Sequence, residues 1–242
     1  QKGRVSDSYT TRFGIRKVEI KGDTLLLNNE PVRLPGIEYM PGSYPEFGMA
    51  EPLWVMEKAV EQIKDLNCVL TRCHWQYDKR YFDLLDEKGI LAQEEIPWWQ
   101  APGNLTPELE DLAKKQIDEM IERDFNHPSI IAWGVSNEVF YNTDKDIYRR
   151  LIRYAKDYNS GRFVTVVSNE IFDRLENDES LLGDIPTWND YTGTWHGKSR
   201  EETPDKLALI NNRALKGRPL LITEHGLCGG RCSSCRRNDL SL

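Results

Sequence analysis

The sequence predicts an α/β protein of the (β/α)8 TIM-barrel type, with about seven barrel strands and strand eight missing. Three observations lead there. Short apolar runs alternate with longer amphipathic, charge-rich segments, the rhythm of βα units around a parallel sheet. The runs number seven. Nearly every run ends on a polar or aromatic residue, as strand ends do when they line one cleft. A length of 242 residues suits one such barrel or two smaller domains. No internal repeat, linker or low-complexity stretch divides the series, so one catalytic-type domain is expected over residues 31–227.

Residues 1–30 come first and alternate polar with apolar: "RFGIRKVEI", then "DTLLLNNEPVRL". Asn28-Asn29, between apolar runs, reads as a hairpin turn. The candidate barrel strands are Arg33–Ile37, Cys68–Arg72, Gly89–Gln93, Ile130–Val135, Phe163–Val167, Pro186–Asn189 and Pro219–Thr223. Helices fit between them. Pro52–Leu66 carries Leu53, Val55, Met56, Val60 and Ile63 at helical spacing, and Lys79–Glu87 puts Tyr81, Phe82, Leu84 and Leu85 on one side. Thr106–Phe125 opens with an N-cap Thr106 and Pro107 in the first turn. Asp146–Tyr158 and Pro204–Ala214 complete the set.

A net charge of −7 gives nothing to counterion release, so no nucleic acid partner is expected. No apolar stretch approaches the roughly 18 residues of a membrane helix, so no membrane is expected either. No signal peptide is visible, since the opening "QKGRVSDSYTTRFG" lacks an apolar core. It also lacks Met, so the native start is expected elsewhere, and the compartment, cytoplasmic or periplasmic, stays unknown. Cys68 and Cys73 lie in or beside an apolar run and read as reduced core thiols. Cys228, Cys232 and Cys235 in "CGGRCSSC" have the spacing of an iron–sulfur loop. A cluster needs surrounding chain to exclude solvent, so residues 228–242 are expected to be a disordered tail. His74, His127, His196 and His225 show no metal-ligand spacing. No metal and no cofactor are expected, and His127 reads as a turn residue before the fourth strand.

The strand ends offer the chemistry. In order they give Glu38 and Tyr39; Arg72, His74 and Trp75; Glu94, Glu95, Trp98 and Trp99; Asn137 and Glu138; Ser168 to Glu170; Asn189, Tyr191, Trp195 and His196; Glu224 and His225. Two carboxylates, Glu138 and Glu224, close apolar runs directly, and strands four and seven face each other across a barrel mouth. Cleaving a glycosidic bond takes two such carboxyls, one to donate a proton and one to stay ionised. Either residue alone also fits a plain ion pair with a nearby Arg or Lys. The abundant aromatics, seven Trp and ten Tyr, fit core packing as well as a carbohydrate cleft that stacks on sugar C–H faces.

Four segments in order resemble glycoside hydrolase family 2, which includes β-galactosidases, β-glucuronidases and β-mannosidases. They are "RFGIRKVEI…LLLNNEPVRLPGI", "LNCVLTRCHWQYDKRYFDLLDEKGILAQEE", "ERDFNHPSIIAWGVSNE" and "RPLLITEHG". The resemblance implies that Glu138 is the general acid/base and Glu224 the nucleophile of a retaining β-glycosidase working through a covalent glycosyl-enzyme. It implies that Asn137 contacts the sugar 2-hydroxyl, that Tyr191 hydrogen-bonds the nucleophile, and that Arg72 lies beneath the nucleophile. His74, Asn189 and Trp195 would line the substrate.

The chain also departs from that family. Residues 1–30 correspond at most to the end of the β-sandwich that precedes the family's barrel, and the family's "GxxxH" in the first strand is altered to "GIEYMPG". The stretch that would supply strand eight reads "LCGGRCSSCRRNDLSL". An open barrel leaves strands one and seven with unpaired edges, so a homo-oligomer joined through those edges is expected. Two other functions stay open: an inactive carbohydrate-binding fragment, and a promiscuous ester hydrolase using His74, His196, His225 and the carboxylates of an opened cleft. No G-x-S-x-G elbow supports a serine esterase.

Overall fold

The structure, a computed structural model, describes residues 5–100, 106–139, 146–159 and 161–226. It opens with a small antiparallel sheet of β1 (Val18–Lys21), β2 (Thr24–Leu27) and β3 (Glu30–Pro31) in that order. The turn at Asn28-Asn29 has φ of 52° and 71°. Two consecutive left-handed residues are what the tight β2–β3 reversal requires, and Asn tolerates that region better than most side chains. A second reversal, at Gly22, joins β1 to β2.

Seven parallel strands come next: β4 (Gly36–Glu38), β5 (Leu70–Cys73), β6 (Leu91–Glu95), β7 (Ile130–Asn137), β8 (Phe163–Val167), β9 (Thr187–Asp190) and β10 (Leu221–His225). The helices between them are α1 (Leu53–Asp65), α2 (Lys79–Lys88), α3 (Pro107–Asp124), α4 (Asp146–Tyr158), the single turn α5 (Ile171–Arg174) and α6 (Thr203–Ile210). Strands β4 to β8 form one ladder in chain order, and β9 pairs with β10. Asn189 N–H donates to the Ser168 carbonyl (2.9 Å) and Thr187 Oγ1 to the Val166 carbonyl (2.6 Å), which sets β9 beside β8. Neighbour order therefore tracks chain order throughout, the arrangement of a βα barrel, here seven strands among the described residues.

Helices α2 and α3 sit where the sequence puts them, and each carries a local cap. The Asp78 carboxylate accepts from Arg80 N–H at the start of α2, and Gly89 ends it in a left-handed cap at φ 66°. Thr106 Oγ1 caps α3 and Pro107 opens its first turn. Strand ends differ from expectation in one direction. Gly89–Gln93 becomes Leu91–Glu95, since Gly89 serves as the helix cap. Cys68–Arg72 ends at Cys73, Ile130–Val135 runs on to Asn137, Pro186–Asn189 to Asp190, and Pro219–Thr223 to His225. Backbone pairing continues beyond the point where hydrophobicity stops, because polar side chains at the mouth have partners there. The candidate helix Pro204–Ala214 divides into α6 and a wider turn over Asn211–Leu215.

The main core lies between α1 to α4 and the outer faces of β5 to β8, around Ile63, Phe82, Leu85, Ile117, Ile121, Trp133 and Leu151. A smaller cluster, Ile171, Trp188, Ile210, Ala214 and Leu215, seats α5 and α6 against β9. Cys73 is a buried thiol of the main core and Cys68 packs at its edge. Cys228, Cys232, Cys235 and the expected tail 228–242 lie outside the described residues.

Candidate active site

Strand alternation sorts the polar ends into two sets. On β6, Ala92 and Glu94 face the helices: Ala92 joins the core, and Glu94 takes Arg123 of α3 at 3.1 Å. Burial, with Asp124 beside it, holds the Glu94 carboxyl well above the usual carboxylate range. Gln93 and Glu95 face the barrel interior, where Arg72 of β5 stands opposite Gln93 in register and bonds Glu95. Gly134 is required beside Glu95, since a Cβ on it would stand 2.4 Å from the Glu95 Cβ.

Arg72 is 3 % exposed, and it uses all five of its N–H bonds. Nε and Nη2 clamp the two Glu95 oxygens at 3.2 and 2.7 Å. Nη1 reaches Glu38 at 2.9 Å and Glu224 at 2.6 Å, and Nη2 also donates to the Asn137 side-chain oxygen at 3.0 Å. Burial alone lowers an Arg pKa, but the carboxylates of Glu95, Glu38 and Glu224 outweigh it and hold Arg72 above its ordinary value. His74 Nδ1 makes a close contact with Glu95 Oε1, which fixes the ring at the wall of the site.

Asn189, fully buried on β9, joins the two halves. Its amide nitrogen lies 2.8 Å from Glu138 Oε1, 2.9 Å from Glu224 Oε1 and 3.1 Å from the Asn137 oxygen. Thr223 Oγ1 donates to the Asn189 oxygen at 2.7 Å, which fixes the orientation of the amide. The nearest oxygens of Glu138 and Glu224 therefore cannot stand farther apart than two hydrogen bonds laid end to end. That is short of the roughly 6.5 Å at which inverting carboxyl pairs begin.

Each carboxylate comes after a break in strand register. In β7 the pairing with β8 slips between Gly134 and Asn137, and in β10 the pairing with β9 slips between Ile222 and Glu224. A bulge inserts one residue and re-aims the side chains beyond it. Glu138 then leaves the strand at φ 47°, a left-handed conformation that non-glycine residues adopt at a cost of about 1 kcal/mol or more. Its backbone N–H is held by the Val167 carbonyl at 2.9 Å.

The two carboxylates have different company. Glu224 takes the Arg72 cation, the Asn189 amide and the Tyr191 phenol at 2.7 Å. Burial and that bond to Glu224 hold the Tyr191 phenol above its usual pKa, hence protonated. Among the described residues, Glu138 takes two neutral donors, Asn189 and, at 3.5 Å, the Trp99 indole N–H. Trp195 packs against Tyr191, ring centroids 4.1 Å apart, with 49 % of its surface exposed. The ion-pair reading of a strand-end Glu thus holds for Glu224 without excluding chemistry.

All eight candidate residues converge on one mouth. Glu38, Glu95 and Trp99 join them, and strand-end position pointed to these three without separating them from Glu94 and Trp98. Burial pushes the Glu38 carboxyl up to about 7; Arg72 opposes the rise, while Glu224 and Glu95 add to it. A cleft of about 380 Å3 opens beside the site between β4 and β10, lined by Glu38, Arg72, Tyr191, Glu224 and His225 among others. His196 lies in a different cavity, with Phe172, Trp188 and Lys206, so the three histidines of the ester reading do not meet. His127 caps the start of β7 through Asp86, which it meets at 2.7 Å and whose other oxygen takes Ser129 N–H.

The family model "Glycosyl hydrolases family 2, TIM barrel domain" matches residues 18–231. A β-galactosidase of Thermoanaerobacterium thermosulfurigenes is 35 % identical over 224 residues, 91 % of this chain and 29 % of that protein. Among solved structures, a β-galacturonidase of Eisenbergiella tayi bound to galacturonate superposes with a TM-score of 0.79 at 29 % identity, covering 92 % of this chain and 41 % of its own. A β-glucuronidase of Ruminococcus gnavus, in complex with a C6-substituted uronic isofagomine, superposes with a TM-score of 0.82 at 28 % identity, covering 96 % and 42 %. The chain thus spans under a third of the β-galactosidase and about two fifths of the two solved enzymes.

Proposed function

The chain belongs to glycosyl hydrolase family 2, and on that premise we propose that it hydrolyses terminal β-linked sugars with retention, Glu224 acting as nucleophile and Glu138 as acid/base. A Glu224 oxygen attacks the anomeric carbon while the C–O bond to the leaving group breaks and Glu138 gives that oxygen its proton. Glu138 then takes a proton from water, the water oxygen bonds to the anomeric carbon, and the Glu224 ester is released. Arg72 and Tyr191 hold the nucleophile, Asn137 takes the 2-hydroxyl, and His74, Asn189 and Trp195 line the sugar. One observation carries the reading: a single amide, that of Asn189, reaches both carboxylates.

The test uses a panel of aryl β-glycosides covering galactoside, galacturonide, glucuronide, glucoside and mannoside. Turnover is expected on at least one. Glu138→Gln and Glu224→Gln each lower it by at least about 100-fold, and a 2-deoxy-2-fluoro glycoside leaves one glycosyl group on Glu224, read by mass spectrometry. No turnover and no adduct across the panel would end the proposal.

Glu224 lies on β10, whose ladder among the described residues runs to β9 alone. That favours a second reading in which the chain binds sugars without turning them over. Sugar-dependent thermal shifts in a chain inert to the panel would distinguish it. Ile37 on β4 and Ile222 on β10 are 42 % and 39 % exposed, which supports the further proposal that copies associate through these edges. A monomer by sedimentation at micromolar concentration would refute that.

A further inference from the structure

We propose that Trp99 and Trp75 form the leaving-group subsite, a wall that accepts the flat apolar face of an aryl or pyranose aglycone. The inference rests on the hydrolytic reading of Glu138 and Glu224. In that chemistry the glycosidic oxygen lies at the acid/base, the anomeric carbon on the nucleophile's side of it and the aglycone on the other. The two oxygens of Glu138 mark these sides. Oε1 is turned to Asn189, which it shares with Glu224, and Oε2 is turned to the Trp99 indole. A leaving group that takes its proton from Glu138 therefore departs along Trp99.

The wall is built rather than incidental. Trp98 and Trp99 are adjacent, yet Trp98 is buried against Tyr148 and Trp99 is 44 % exposed. The backbone holds Trp99 in that pose. It bridges to Asn137, whose N–H donates to the Trp98 carbonyl at 2.9 Å and whose carbonyl accepts from Gln100. The exposed indole is thus fixed to the residue next to Glu138. Trp75 flanks it with ring centroids 6.2 Å apart, and His74 meets Trp99 edge-on at 5.9 Å. The exposed Trp99 indole offers a ligand an electron-rich face that attracts aromatic edges and sugar C–H bonds, and half-buried Trp75 backs it. Trp195, the other exposed indole at the mouth, packs on Tyr191 and so lies on the nucleophile's side.

The experiment compares an aryl β-glycoside with the glycosyl fluoride of the same sugar, whose leaving group has no face to stack. Trp99→Ala is expected to lower kcat/KM for the aryl substrate about 10-fold more than for the fluoride. Trp99→Phe, which keeps a ring and loses the N–H, is expected to restore most of that difference. Equal losses on both substrates would overturn the subsite and leave Trp99 as a support for Glu138. Binding is read separately, by quenching of tryptophan fluorescence with phenyl and methyl β-thioglycosides. A preference for phenyl that Trp99→Ala abolishes sustains the subsite even in a chain without turnover, where only the hydrolytic reading fails. No phenyl preference in the wild-type chain overturns the subsite.

Discussion

Replacing Glu38 with glutamine should change how the stability of this protein depends on pH, by an amount that its surroundings fix. Glu38 sits with Glu224 and Glu95 around one cation, Arg72, with His74 close by, and its side chain is 20 % exposed. Its carboxyl titrates near 4.5 in an unfolded chain and about 7 in the fold. Between those values the folded protein keeps a proton that the unfolded chain has released. Glu38's contribution is therefore fully present below about pH 4.5 and is lost as the pH rises through about 7. At about 1.4 kcal/mol per pH unit, the loss comes to about 3 kcal/mol. Glutamine has the same shape and no such titration. The stability of Glu38→Gln relative to wild type should thus rise by about 3 kcal/mol from pH 4.5 to pH 8. Urea unfolding followed by tryptophan fluorescence at both pH values reads this as a midpoint difference growing by about 1 M or more, at a slope of about 2–3 kcal/mol/M. An offset between the two proteins that stays constant or shrinks over that range would refute the reasoning.

Gly134→Ala should cost about 1–3 kcal/mol, read by thermal or urea unfolding, because its Cβ would stand 2.4 Å from the Glu95 Cβ in a buried strand. Stability at wild-type level would mean that Glu95 moves freely. Arg72→Lys should destabilise by about 3 kcal/mol or more despite keeping the charge. A point cation cannot clamp Glu95 while also reaching Glu38, Glu224 and Asn137, and an unchanged midpoint in urea would count against that network.

By itself the sequence determined the barrel and the residues worth testing. Apolar period, helix caps and turn residues such as Asn28-Asn29 are local properties, and seven runs with polar ends have few parallel arrangements open to them. Glu138 and Glu224 each stand directly after an apolar run, and it was the ordered resemblance of "IIAWGVSNE" and "LLITEHG" to one family that set them apart from the other strand-end carboxylates. Only the tertiary structure decided how these residues are held. Alternation tells which face a side chain takes only while register is regular, and both carboxylates lie beyond a slip that re-aims them. Glu95 differs from Glu94, and Trp99 from Trp98, solely by which way one more residue turns. The bond from Arg72 to Glu224 crosses 152 positions of sequence. The one amide of Asn189 that reaches Glu138 and Glu224 does so because strands distant in sequence curve until their ends meet. Such contacts have no local signal, since the energy that selects them arises only when the strands have closed around a common mouth.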